Sequence, residues 1–172
     1  MQLDNRKRGS QNVMGKILTI SPEKCINCRS CELICSFNKT GGFNTREAAV
    51  NVIFYEEAAI SVPVMCMQCE DAACMKVCPA GAISRDENGA VLPDLSKCIG
   101  CKMCISACPM GNISFSTIQR KIVKCNLCGG DPMCAKICPS GAIQFVEETT
   151  ANISKKRVLA EKFKDLFAEV KS

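Results

Sequence analysis

The chain has no histidine, no tryptophan and a single tyrosine in 172 residues. Without histidine it lacks the commonest zinc and haem ligand and the commonest general base, so most hydrolytic and haem mechanisms lose their usual actors. Long apolar runs are missing too. The longest candidate, Val50 to Tyr55, is interrupted by Asn51 and stops at Glu56-Glu57, far short of the roughly 18 to 20 apolar residues a membrane-spanning helix needs. The opening MQLDNRKRGSQNVMGK is polar and basic and runs only into the short stretch Ile17 to Ile20. A secretory leader is therefore not expected, and a soluble, cytoplasmic location is. No glycine-rich nucleotide loop and no catalytic triad motif occurs, which leaves no catalytic site of the chain's own. Arg6-Lys7-Arg8 has no base-stacking aromatics around it, which argues against nucleic acid as a partner.

What the chain has is sulfur, in 16 cysteines. The hydrophobic fraction of 47% counts them, so the ordinary material for a core is limited. Metal clusters bound by thiolates are expected to serve as core, and the apo-chain is expected to be poorly folded.

The cysteines fall into four groups of four that align with one another, and none is left over. The first is KCINCRSCELICS, with Cys25, Cys28, Cys31 and Cys35. The second is MCMQCEDAACMKVCPAGAI, with Cys66, Cys69, Cys74 and Cys78. The third, KCIGCKMCISACPMGNI, holds Cys98, Cys101, Cys104 and Cys108, and the fourth, KCNLCGGDPMCAKICPSGAI, holds Cys125, Cys128, Cys134 and Cys138. The third group is C-x-x-C-x-x-C-x-x-x-C-P letter for letter, the ferredoxin run whose fourth cysteine ligates the other cluster of a pair. Three thiolates two residues apart let one tight loop wrap three corners of a cubane. The fourth is expected at the start of a short helical turn aimed at a neighbouring cluster. Pro79, Pro109 and Pro139 fix φ and remove a donor where the chain turns away. The small residues of Ala80-Gly81-Ala82 and Ser140-Gly141-Ala142 permit the close backbone approach that N–H···S contacts need. Zinc Cys₄ sites combine two separated pairs rather than three cysteines in seven residues with a fourth and a proline after them. Disulfides would need an oxidising compartment, and catalytic thiols do not come in such numbers. Four [4Fe–4S] clusters is the cofactor assignment these groups support.

With these four motifs the sequence resembles the four-cluster polyferredoxin subunits that carry electrons for molybdenum or tungsten enzymes, hydrogenases and carbon monoxide dehydrogenases. The resemblance spans residues 17 to 148. It implies that the outer groups pair with each other and the inner groups with each other. One cluster would then take Cys25, Cys28, Cys31 and Cys138, and its mate Cys125, Cys128, Cys134 and Cys35. A third would take Cys66, Cys69, Cys74 and Cys108, and a fourth Cys98, Cys101, Cys104 and Cys78. Independent support comes from AISRDENGAVLPDLSK, which reads as a strand, a turn at Glu87-Asn88-Gly89 and a second extended segment, the hairpin expected between the halves of a two-cluster unit. The residues themselves leave open the sequential pairing of group one with two and three with four. Ser36 stands where the other groups have proline, an extra donor near Cys35. Within the family, KCINCRSCELICSFNKTGGFN looks most like the small subunits of tungsten aldehyde:ferredoxin oxidoreductases and benzoyl-CoA reductases.

The expected fold class is α+β, with two pseudo-symmetric bacterial-ferredoxin-like modules, one inserted in the other, and a C-terminal amphipathic helix. Residues 1–14 form a basic arm. Residues 15–65 and 109–150 form the outer module, with a hairpin at 48–65; residues 66–108 form the inner one. Residues 151–172 carry Val158, Leu159, Phe163, Leu166, Phe167 and Val170 at helical spacing, a stripe for packing in cis or docking on a partner. The expected function is single-electron relay between a large catalytic subunit, of tungsten or molybdenum pterin type, and a further redox partner such as a ferredoxin or flavin subunit. Self-association is a further partner expectation, and a free-standing soluble polyferredoxin or a coupling subunit of a hydrogenase, formate dehydrogenase or carbon monoxide dehydrogenase is the alternative function.

Overall fold

The computed structural model describes residues 15–87 and 89–149, with Lys156 and Ala160. The basic arm expected over 1–14 and, those two helical positions apart, the helix expected over 151–172 lie outside the described residues.

The fold is α+β, built from short pieces. Its strands form four separate antiparallel pairs among the described residues. Strand β1 (Lys16–Ile20) pairs with β8 (Ile143–Glu147), Lys16 opposite Glu147 and Ile20 opposite Ile143, so the two ends of the described chain close on each other. Strands β2 (Val50–Tyr55) and β3 (Ile60–Met65) make the longest hairpin, with Val50 opposite Met65. Alternation of Val50 and Val52, both buried, with exposed Asn51 and Ile53 gives β2 one inward face. Strands β4 (Ile83–Arg85) and β5 (Val91–Pro93) form the hairpin expected around Glu87-Asn88-Gly89. A third hairpin, β6 (Ser114–Ser116) with β7 (Lys121–Val123), has no Asn-Gly signal in its loop. There Arg120 takes the left-handed conformation, φ 53°, that glycine usually supplies.

The four helices repeat one placement. Helices α1 (Ser30–Thr40), α2 (Ala73–Lys76), α3 (Met103–Ala107) and α4 (Met133–Ile137) each begin one residue before the third cysteine of their group. The helical turn expected to begin at the fourth cysteine therefore ends there instead. The proline explains this, because it disfavours helical backbone in the residue before it: Cys108 (ψ 110°) and Cys138 (ψ 107°) are both extended. Where Ser36 replaces proline, α1 runs on to Thr40 and stops at Gly41, whose φ of 75° suits the left-handed cap. Fully buried Ser36 donates from Oγ to the Leu33 carbonyl at 2.8 Å and accepts from the Asn44 N–H at 3.2 Å.

Helix α1 packs on α4, and α2 packs on α3. Each pair has its own core, and in each the thiols are core residues. Cys31 and Cys134 pack with Val50, Val52, Met65 and Ile143, and Cys25, Cys35 and Cys138 border them. Cys104 packs with Ala72, Ile83, Val91, Ile113 and Ile122, bordered by Cys74, Cys98 and Cys108. A small third cluster, Ala90 with Leu127, joins the two and touches Cys125. Among the described residues no helix is long and apolar enough to cross a membrane.

Candidate iron–sulfur centre

In every group the residue before the second cysteine has positive φ: Asn27 at 56°, Gln68 at 50°, Gly100 at 71° and Leu127 at 51°. In the first, third and fourth groups the residue after it does too, Arg29 at 56°, Lys102 at 65° and Gly129 at 72°. Such a turn folds the loop so that successive thiols face one side. For the non-glycine residues it costs roughly 1–2 kcal/mol each, a strain retained only where something else requires the geometry.

The loops gather the thiols into sets. Cys66, Cys69, Cys74 and Cys108 line one cavity. Cys98, Cys101, Cys104 and Cys78 line a second, smaller one. In each, three thiols come from one group and the fourth from the other. In the outer groups Cys31 has Cys28 and Cys138 near it, Cys134 has Cys125, Cys128, Cys35 and Cys31, and Cys125 has Cys66 and Cys128. Among the described residues no three His, Cys, Asp or Glu side chains close on a point suited to a single ion; the thiols surround spaces.

Burial dominates the electrostatics. It pushes the Cys31 thiol up to about 12, helped by the Glu32 carboxylate and by Cys28 and Cys138, and Cys125 up to about 11. Cys134, Cys35, Cys74 and Cys104 are raised for the same reason. Burial also pushes on Cys138, but the N–H groups of Ile143, Ala142 and Ser140 and the Ser140 hydroxyl outweigh it and hold this thiol below its ordinary value. Backbone N–H groups reach other sulfurs: Ala82 to Cys78 at 3.3 Å, Asn112 to Cys108 at 3.4 Å, Ala49 to Cys35 at 3.3 Å and Leu127 to Cys125 at 3.4 Å. These donors favour thiolates, while burial opposes them until a cation arrives. Sets of four thiols, most of them partly or fully buried, with N–H donors aimed at the sulfurs fit a metal–sulfur core that takes thiolate ligands.

The 4Fe-4S dicluster domain family matches residues 57–148, more than half of the chain, and a 4Fe-4S binding domain matches residues 22–38. The chain belongs to the 4Fe-4S dicluster family. Membership and the cysteine complement give this dicluster protein multiple [4Fe–4S] clusters as cofactors. Its curated relatives include the polyferredoxin-like subunit of an aliphatic sulfonate oxidoreductase from Pyrococcus furiosus, 39% identical over 94 residues, 54% of this chain and 54% of the relative. The arsenate respiratory reductase iron–sulfur subunit of a Shewanella species is 38% identical over 89 residues, 49% of this chain and 38% of the relative. The Escherichia coli electron transport protein HydN is 40% identical over 94 residues, 52% and 53% of the two chains. The dicluster chain thus spans about half the length, or less, of the curated relatives it matches. Among solved structures, a chain of the active-site complex of benzoyl coenzyme A reductase aligns at TM-score 0.47 and 25% identity, covering 77% of this chain and 75% of that one.

Contacts that spacing did not reveal tie these parts together. Gln68 accepts from the Val91 N–H at 2.8 Å and donates to the Cys125 carbonyl at 3.4 Å. Glu32 Oε1 accepts from the Val52 N–H at 2.6 Å, fastening α1 to β2. Lys24, Lys97, Lys102 and Lys124 are each adjacent in sequence to a cysteine of the four groups. Only Lys124 is turned inward, 1% exposed; Lys97 pairs with Asp94 at 3.4 Å and Lys102 lies 4.4 Å over the Phe115 ring.

Proposed function

We propose that the protein is a non-catalytic electron-transfer subunit that holds four [4Fe–4S] clusters and relays single electrons between a catalytic oxidoreductase subunit and a second redox partner. The cavities lined by Cys66, Cys69, Cys74 and Cys108, and by Cys98, Cys101, Cys104 and Cys78, carry this reading. Each offers four thiols, the complement one cubane takes. The outer sets are Cys25, Cys28, Cys31 with Cys138, and Cys125, Cys128, Cys134 with Cys35. Two ferredoxin-like modules follow, the inner inserted in the outer, supported by the packing of α1 on α4 and α2 on α3.

When bound, the clusters supply one-electron uptake and release. The chain's own residues do the rest. The thiols anchor the sets, the backbone donors of Ala82, Asn112, Ala49 and Leu127 stabilise negative sulfur, and the apolar cores keep water away. Nearness of Cys31 to Cys134, and of Cys66 to Cys125, supports a linear order: 25/28/31/138, then 125/128/134/35, then 66/69/74/108, then 98/101/104/78. Cys28 and Cys101, in the two terminal sets, are exposed, as is Cys69 in one of the middle sets, which supports electron entry and exit at the ends of this order without restricting it to them.

The partner we assign is a tungsten or molybdenum pterin enzyme acting on an aldehyde or an aromatic thioester, on the strength of the Glu32 to Asn44 segment. Anaerobic purification of the tagged full chain from its native cell tests this. Co-purification of a large pterin-containing chain is the expected result. A lone chain, or a partner without pterin, contradicts it.

A further inference from the structure

Lys124 sits between Cys66 and Cys125, cysteines of the two sets in the middle of the proposed order. Its ammonium donates to the Val91 carbonyl, lies 3.4 Å from Cys66 Sγ and 3.4 Å from the Cys125 carbonyl, and borders the cavity of Cys66, Cys69, Cys74 and Cys108. Three donors thus meet three acceptors. None is a carboxylate: the ion pairs among the described residues, Lys16–Glu147, Lys76–Asp71, Lys97–Asp94 and Lys136–Asp131, leave Lys124 out. A buried ammonium without an anion costs several kcal/mol, so its counter-charge must come from the cavity it borders. Its own carbonyl accepts from Lys39 Nζ at 2.7 Å, and Gln68 holds Val91 from the other side. The ammonium is therefore fixed by backbone on both sides rather than free to swing out.

We infer that Lys124 sets the reduction potential of the cluster held by Cys66, Cys69, Cys74 and Cys108, raising it so that electrons crossing between the modules pause there. The inference rests on the four-cluster reading. Reduction adds one negative charge to that set, breaks no bond and moves no proton, and Lys124 offsets the added charge at contact distance. Local charge and hydrogen bonds to sulfur are among the levers by which a protein moves such potentials. At the second inner set Lys102 is exposed and lies over the Phe115 ring, and Lys121 donates to the Leu95 and Cys98 carbonyls at 2.6 and 3.1 Å, so the lysine bonds there go to backbone oxygen, whereas Lys124 reaches sulfur.

The test is an anaerobic potentiometric titration of the full-chain holoprotein followed by electron paramagnetic resonance, with Cys69→Ser and Cys101→Ser identifying the two inner signals. In Lys124→Met the signal assigned through Cys69 should lose at least tenfold in its reduced-to-oxidised ratio at fixed potential, about 59 mV for one electron, while Lys124→Arg restores most of it. In the unsubstituted protein the Cys69 signal should titrate above the Cys101 signal, a comparison that needs no lysine variant. An unchanged midpoint in a fully loaded Lys124→Met protein, equal shifts in Met and Arg, or a Cys69 signal at or below the Cys101 signal would each overturn the inference. A shortfall of iron in the unsubstituted protein would instead strike the four-cluster reading.

Discussion

At the residue scale, the thiols were legible because their chemistry is local. Three cysteines at a two-residue spacing declare a loop around a cluster whatever the rest of the chain does. The exchange of the fourth cysteine came through the resemblance; around the inner cavities Cys108 lines the same space as Cys66, Cys69 and Cys74, and Cys78 the same space as Cys98, Cys101 and Cys104. The roles of Gln68 and Lys124 were not legible. Each depends on side-chain contacts to residues 23 to 58 positions away, which no local pattern encodes. The ligand exchange makes a direct prediction. Cys108→Ser and Cys66→Ser should alter the same paramagnetic signal, and Cys78→Ser should match Cys98→Ser, each costing about one to four irons per chain. Cys108→Ser matching Cys98→Ser would point to self-contained groups.

At the scale of elements, proline placement decides helix length. The three groups with proline end their helix at or just before the fourth cysteine; the first, with Ser36, extends α1 to eleven residues. Ser36→Pro should stop α1 at Cys35, breaking the bonds to Leu33 and Asn44 and costing about 3 kcal/mol. Lower helicity by circular dichroism and earlier thermal loss of cluster absorbance would register it; an unchanged melt would refute the role given to Ser36. Glu32 is the other fastener. Glu32→Ala strands the buried Val52 N–H, a loss of about 1–3 kcal/mol, and should lower the melting temperature, whereas Glu32→Gln, which keeps an acceptor, should fall between it and the unsubstituted protein. The β4–β5 hairpin announced itself through Asn-Gly, and β2–β3 through two apolar runs around a Glu pair. The β6–β7 hairpin carried neither signal, because its turn is closed by Arg120 in a conformation its type rarely adopts.

At the scale of the molecule, a formal charge of +5 counts the cysteines as neutral. A [4Fe–4S]²⁺ core in four thiolates carries two negative charges, so four of them turn the chain roughly −3. On that account the lysines near the cysteine loops face cluster charge rather than an external polyanion, and Lys124, buried without a carboxylate partner, is the clearest instance. The thiols in both cores imply that folding and cluster loading are one event. The most direct test of the whole account is the iron and acid-labile sulfide content of the anaerobically purified, fully loaded chain. Four cubanes predict about 16 of each per chain. A content near eight, or zinc in place of iron, would contradict the account.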